Sequence, residues 1–297
     1  MKRKFCLLFI LFCSSVSGQN MVKNPSFEEY YHLPDTTYFQ NIKNSAFQAK
    51  HWHKTWLLTP NYFHINSEYK AFSIPYNCFG YYPVLEGSAY IGAHLLSLQT
   101  NIAVHFAGEF IKPLEEGKEY EISFYYCFAH LESYFLLDKI EVCISSNNWL
   151  REIHDLPEYY YTYIVEPYDT NTFEFSTITA NVTFQDSIIN DGKWHKMTGC
   201  YKSKGGEEYI AFGIFYQNND FSQAFHVYPD YNHSGGVTKR NLRRFYKYYK
   251  DTLFIHRNPL YSPQKPYDIV DPKEKDYFPT YQFAYYFFDN VSVVEIP

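Results

Sequence analysis

The two ends of this chain carry matching signatures, and they constrain the fold more than any other stretch. Near the start it reads Asn24-Pro25-Ser26-Phe27-Glu28-Glu29, and near the finish Phe287-Phe288-Asp289-Asn290-Val291-Ser292-Val293. A first strand, Met21–Glu28, ending in Phe-Glu and a last strand opening with Asp-Asn-Val imply one closed β-domain. Its termini lie side by side, with a carboxylate from each near the seam. That is a scaffold signal more than a reaction signal.

What precedes the first signature is an export leader spanning residues 1–18. Lys2, Arg3 and Lys4 form a positive start, Phe5 to Cys13 an apolar core, and Ser14-Ser15-Val16-Ser17-Gly18 a small-residue cleavage region before Gln19. Cys13 follows Phe12 rather than a small residue, which argues against a lipoprotein signal. The apolar run is shorter than the ~20 residues a membrane-spanning helix needs. No later stretch is apolar enough, so the expected product is exported and has no membrane span. Residues 19–297 then form a single domain. The leader takes three of the 26 basic side chains and leaves 23 against 32 acids, a net charge of −9. That balance disfavours nucleic acid as a partner.

The chain holds 32 Tyr and 27 Phe but only 3 Met. Aromatic residues favour strands, and a tyrosine can bury its ring while its hydroxyl stays wet. The abundance fits an all-β core with Tyr-rich loops, or a surface rich in stacking platforms. Strand candidates are Met21–Glu28, Ser88–Ala93, Ile102–Ile111, Glu119–Ala129, Lys139–Ser145, Trp194–Lys202, Glu208–Gln217 and Tyr281–Glu295. Two long stretches, about 147–191 and 218–280, read as loop insertions between core strands. The second contains Lys239–Lys250, with six basic residues and Leu242, Phe245, Tyr246 and Tyr249 at helical spacing. That segment fits a helix docked by its aromatic stripe, or a patch for an anionic ligand.

Four cysteines follow the leader: Cys78, Cys127, Cys143 and Cys200. An exported chain permits disulfides. Alternation turns Cys127 and Cys143 away from the apolar face of their strands, so they meet only if those strands are neighbours; free thiols are the other reading. The spacing matches no zinc motif. His51-Trp52-His53 puts two imidazoles on one face if extended, which alone is weak metal-site chemistry. No Gly-x-Ser-x-Gly elbow, His-Glu-x-x-His helix or phosphate-cradling loop occurs, and no catalytic residue is nominated.

Five motifs stand in order: Asn24–Glu29, Gly87-Ser88-Ala89-Tyr90, Leu114-Glu115-Glu116-Gly117-Lys118-Glu119-Tyr120, Gly192-Lys193-Trp194 and Phe288–Val293. The set resembles the galactose-binding-like jelly roll of carbohydrate-binding modules of families four, nine and twenty-two. It is more similar still to a secreted Bacteroidetes domain often found before peptidoglycan-binding or sorting domains. That domain opens "NPSFEEY" and continues with a Trp, "TPDYF" and "GYxxPxxGxAYxG". Here those positions are Trp56, Thr59-Pro60-Asn61-Tyr62-Phe63 and Gly80–Gly92.

The resemblance implies an all-β jelly-roll β-sandwich. It also implies a structural Ca2+ near the seam, with Glu28 and Asp289 at the matching positions. Calcium takes six to eight oxygen ligands and mixes carboxylates with backbone carbonyls. Sugar recognition in such modules uses aromatic faces, for which Trp52, Trp56 and Trp149, in or beside loops, and Tyr160, in the cluster Tyr159-Tyr160-Tyr161, are the candidates; Trp194 starts a strand and reads as core. The expected function is an exported, non-catalytic binding module for carbohydrate or a cell-surface glycan. A structural or adhesion protein of the cell envelope, binding a protein partner, is the alternative. A glycan hydrolase with its site in the insertions is the minor one.

Overall fold

The computed structural model describes residues 18–35, 48–54, 60–97, 105–133, 135–146, 179–184, 186–215, 255–259 and 283–297. Residues 1–17, the basic segment at 239–250 and most of both expected insertions lie outside them. Among the described residues, no helix is long and apolar enough to cross a membrane.

The strands are β1 (Trp52–Lys54), β2 (Asn61–His64), β3 (Tyr76–Asn77), β4 (Gly80–Tyr81), β5 (Ala89–Ser97), β6 (Phe106–Glu109) and β7 (Glu119–Phe128). They continue with β8 (Phe135–Leu137), β9 (Glu141–Ser145), β10 (Thr183–Phe184), β11 (Trp194–Lys202), β12 (Tyr209–Gly213), β13 (Ile255–Arg257) and β14 (Phe283–Glu295). A four-stranded sheet runs β1-β6-β12-β9 and a six-stranded sheet runs β10-β11-β7-β14-β5-β2. Every pairing within them is antiparallel. The sheets face each other as a jelly-roll β-sandwich. Between them, Phe106 packs on Phe288 at 4.9 Å and Phe124 on Phe212 at 5.0 Å, ring centre to ring centre.

The end signatures do meet. Met21 donates its amide to the Val293 carbonyl, Val291 donates to the Pro25 carbonyl, and the Asn20 side chain bridges Val22, Val291 and Val293. Phe27 and Val291 are buried in the same core. The first segment is not, however, the strand expected over Met21–Glu28; it makes one isolated bridge, Val22 to Phe110. Asn24 and Phe27 have φ of 47° and 61°, left-handed values that break strand geometry. The Asn24 side chain offsets that cost by donating to the Glu29 and Lys50 carbonyls and accepting from the Glu29 amide. The motif is a turn that aims Glu28, not a strand that ends in it.

A second apolar cluster covers the outer face of the six-stranded sheet. Phe63, Tyr90, Cys127, Phe283, Tyr285 and Phe287 project from the strands, and Tyr69, Phe72, Phe79 and Tyr82 close over them from the segment before β5. Phe79 stacks on Tyr285 at 3.8 Å. Burial on both faces accounts for the unbroken apolar run Phe283–Phe288, where a one-sided strand alternates. Much of the tyrosine excess is spent here and in the sandwich: Tyr62, Tyr82, Tyr90, Tyr120, Tyr126, Tyr285 and Tyr286 are all core residues.

Cys127 lies in that outer cluster, whereas Cys143 lies on the outer face of the four-stranded sheet beside Ala107 and Ala211. Their strands belong to different sheets, so the two cannot pair; all four cysteines described are free thiols. Burial pushes the Cys127 thiol up and the Cys143 thiol up to about 12. Alkylation of the folded chain is expected to label the exposed Cys200 first, and Cys127 and Cys143 only in denaturant. Peptide mapping after a brief pulse reads this directly; equal labelling of Cys127 contradicts the two-sided burial of the sheet.

Candidate functional site

The seam is built from the turn at Asn24–Glu29, the loop at Glu86–Ala89 and a bulge in β14. The register of β14 against β7 shifts between Asp289 and Ser292, with Asn290 at φ 48°. A bulge re-aims the side chains beside it. It keeps Phe288, Val291 and Val293 in the core while Asp289 turns to the seam.

Asp289 is fully buried. Its Oδ1 accepts the Asn290 amide at 2.7 Å. Its Oδ2 is one of three buried side-chain polar atoms among the described residues with no hydrogen-bond partner, the others being the carboxamide of Gln48. Burial pushes the Asp289 carboxyl up to about 8; the Asn290 amide pulls it back more than either the Glu28 or the Glu86 charge raises it, and the Glu86 amide adds a smaller pull. A buried, half-satisfied carboxylate facing two further acids is an arrangement that costs stability as it stands.

Glu28 approaches from the other terminus. Its Oε1 accepts the Ser88 and Ala89 amides at 2.8 and 3.2 Å. Gly87 makes room for it: a Cβ there would lie 2.3 Å from that oxygen, and φ is +67°. The Gly-Ser-Ala-Tyr motif is thus the cradle of the Glu28 carboxylate. No group of three or more His, Cys, Asp or Glu among the described residues has metal-holding geometry. Calcium does not require one, because backbone carbonyls fill its shell. The unpartnered Oδ2 of Asp289 and the negative charge of Glu28 beside it are the features that a hard cation would relieve.

The other sequence-nominated residues fare differently. Trp52 is 2% exposed and sits in the sandwich core, so its nomination as a stacking residue is corrected. Its ring packs on Phe27 at 4.7 Å and its Nε1 donates to the Asn24 carbonyl. The cause is local: His51 sits in a left-handed turn (φ 65°) and Trp52 opens the edge strand β1, which turns the indole inward while both histidines face Glu109. Trp56, Trp149 and Tyr160 lie outside the described residues. Trp194 is partly buried against Tyr90 and donates Nε1 to the Pro83 carbonyl.

The outward histidines are anchored rather than vacant. His53 Nε2 lies 2.7 Å and His51 Nδ1 3.4 Å from the Glu109 carboxylate, which also receives Lys23 at 2.8 Å. Burial opposes the charge on Glu109, but Lys23 and His53 outweigh it and hold its carboxyl down at about 2. Other carboxylates are similarly engaged: Glu207 accepts from Tyr201, Ser203 and the Lys204 and Gly205 amides, and Asp191 pairs with His195.

What sequence reasoning missed is the surface of the outer cluster. Tyr76 and Tyr81 stand opposite each other on the β3–β4 hairpin, 55% and 57% exposed, with ring centres 4.9 Å apart. Tyr31 is exposed on another loop.

No family model matches the chain, and no curated protein matches it either. Among solved structures it is similar to a CBM4, at 12% identity over 93% of this chain and 99% of that one, with a TM-score of 0.31. It is also similar to the K1 cleaved adhesin domain of Lys-gingipain (Kgp) from Porphyromonas gingivalis W83, at 12% identity over 94% and 100%, TM-score 0.30. The K3 cleaved adhesin domain of the same protein aligns at 11% identity over 82% and 91%, TM-score 0.26.

Proposed function

We propose that this chain is an exported, non-catalytic binding module for carbohydrate, carried on a sandwich whose two ends are tied by a structural Ca2+. The observation that carries the binding role is the placing of aromatic rings. The chain buries most of its described tyrosines, yet leaves Tyr31 on a loop and Tyr76 and Tyr81 on the β3–β4 hairpin more than half exposed. Aromatic faces in water are what a pyranose ring stacks on. The calcium has no part in chemistry; Asp289 and Glu28 would hold it, and it supplies only positive charge where two termini bring acids together.

The test uses the purified exported chain. It is run by affinity electrophoresis through gels containing soluble glucan, xylan, mannan or galactan. Retardation by at least one polysaccharide, without release of reducing ends, is the expected result. Free mobility in all four, with capture of an envelope protein instead, replaces this reading with an adhesion role. Release of reducing ends replaces it with hydrolysis.

A further inference from the structure

The β3–β4 hairpin is an unusual place for two exposed rings. Within it, alternate residues face opposite ways. Asn77 turns inward and is fully buried, donating to the Tyr90 hydroxyl and accepting the Phe79 amide. Phe79 and Tyr82 plug the aromatic cluster below. The Ser73 hydroxyl lies within hydrogen-bond distance of the Lys70 and Tyr76 carbonyls, and Tyr82 donates its amide to the Pro75 carbonyl. The base of the hairpin is therefore fixed on every side. Tyr76 and Tyr81 are the residues of the two short strands left facing solvent, and their planes meet at 62°. Lone exposed apolar residues are common and need no explanation, but an opposed aromatic pair on a rigid mount is not that case.

We infer that the Tyr76–Tyr81 corner is the primary sugar-binding platform of the molecule, one ring stacking the apolar face of a pyranose and the other meeting its edge. This rests on the carbohydrate-binding reading above and gives it a location. Size supports the assignment. An aromatic side chain offers about 150–250 Å2, so two half-exposed rings present on the order of 200 Å2. That suits one or two sugar residues and falls well short of the ~800 Å2 per partner of a stable protein interface. Rigid mounting also lowers the entropy lost on binding, which favours a small ligand with few contacts. The position is the outer side of the six-stranded sheet, whose face is otherwise sealed by Phe72, Phe79 and Tyr82; the site is a raised corner, not a cleft.

The experiment repeats the affinity electrophoresis with Tyr76→Ala, Tyr81→Ala, the double alanine variant and Tyr81→Phe, each checked by thermal melting. With a polysaccharide that retards the parent chain, each single alanine is expected to weaken retardation at least tenfold and the double to abolish it. Tyr81→Phe should keep most of it, because stacking needs the ring. Melting temperatures should move little, since both rings are exposed. If the parent binds and the double alanine variant binds within twofold of it, the platform lies elsewhere and the carbohydrate reading survives. A parent that binds none of the four polysaccharides overturns the inference together with the reading beneath it. Loss of a protein partner in the alanine variants, with no sugar bound by the parent, assigns the corner to protein docking and likewise overturns it.

Discussion

In chelator at pH 8, Asp289→Asn is expected to melt at a higher temperature than the parent chain. In millimolar Ca2+ the gap should narrow, because only the parent gains stability from the ion. The buried carboxyl of Asp289 titrates at about 8 in the fold against an ordinary 3.8. The sign follows from that: folding favours the protonated form, so its contribution is fully present below pH 3.8 and is lost as the pH rises through 8. The metal-free parent should therefore weaken across that window, by on the order of a few kcal/mol, and the asparagine variant should not. Calcium changes the balance because it binds the charged form. At a Ca2+ concentration a hundredfold above Kd, linkage gives about 2.7 kcal/mol. For a domain of this size that is roughly 5–10 °C in Tm. The variant has lost one of the two carboxylates and should show little or no response. Differential scanning calorimetry in EDTA and in CaCl2, at several pH values, reads all of this. A parent melt that ignores both chelator and pH removes the metal and the ionisation argument together.

The contrast between Asp289 and Trp52 shows how far the residues could be read before folding. Both end motifs pointed to an adjoining pair of termini, and they adjoin. The long strands were also legible, because their alternation survives over eight or more residues: Trp194–Lys202 has the bounds read from sequence, and Glu119–Phe128 differs by one residue. The short strands were not. Trp52–Lys54, Tyr76–Asn77 and Gly80–Tyr81 have two or three residues each, too few for a period to show. Both the buried tryptophan and the exposed tyrosine corner fall in them. The turn at Asn24–Glu29 looked extended because its left-handed residues are Asn24 and Phe27 rather than glycines, and only the hydrogen bonds of Asn24 explain why they are tolerated. The outer cluster did leave a trace, the unbroken run Phe283–Phe288, which a one-sided sheet does not need. Glu28 and Asp289 were nominated only through resemblance. The burial of Asp289, which gives the seam its electrostatics, depends on a bulge that no periodicity announces.

Trp52→Ala is expected to destabilise the fold, and any loss of ligand binding in that variant would be a consequence of unfolding. The indole lies in the sandwich between Phe27, Phe106 and Phe212, at ring separations of 4.7, 5.9 and 6.2 Å. Its outer edge lies over Gly108, where an added Cβ would come within 2.8 Å of the ring. Removing a buried tryptophan forfeits its transfer energy and leaves a cavity, about 3–5 kcal/mol in comparable cores. It also strips the Nε1 donor from the Asn24 carbonyl, and Asn24 is the residue that holds the terminal turn. A fall in Tm on the order of 10 °C follows, with the calcium response weakened because Glu28 sits on that turn. Trp52→Phe should recover part of the packing and none of the hydrogen bond, so it should fall between the two. Gly108→Val attacks the same contact from the neighbouring strand β6, where Gly108 pairs with Trp52, and should also lower Tm without touching an exposed residue. An unchanged melt in Trp52→Ala combined with lost polysaccharide binding would put the indole back on the surface and overturn its inward orientation at the start of β1.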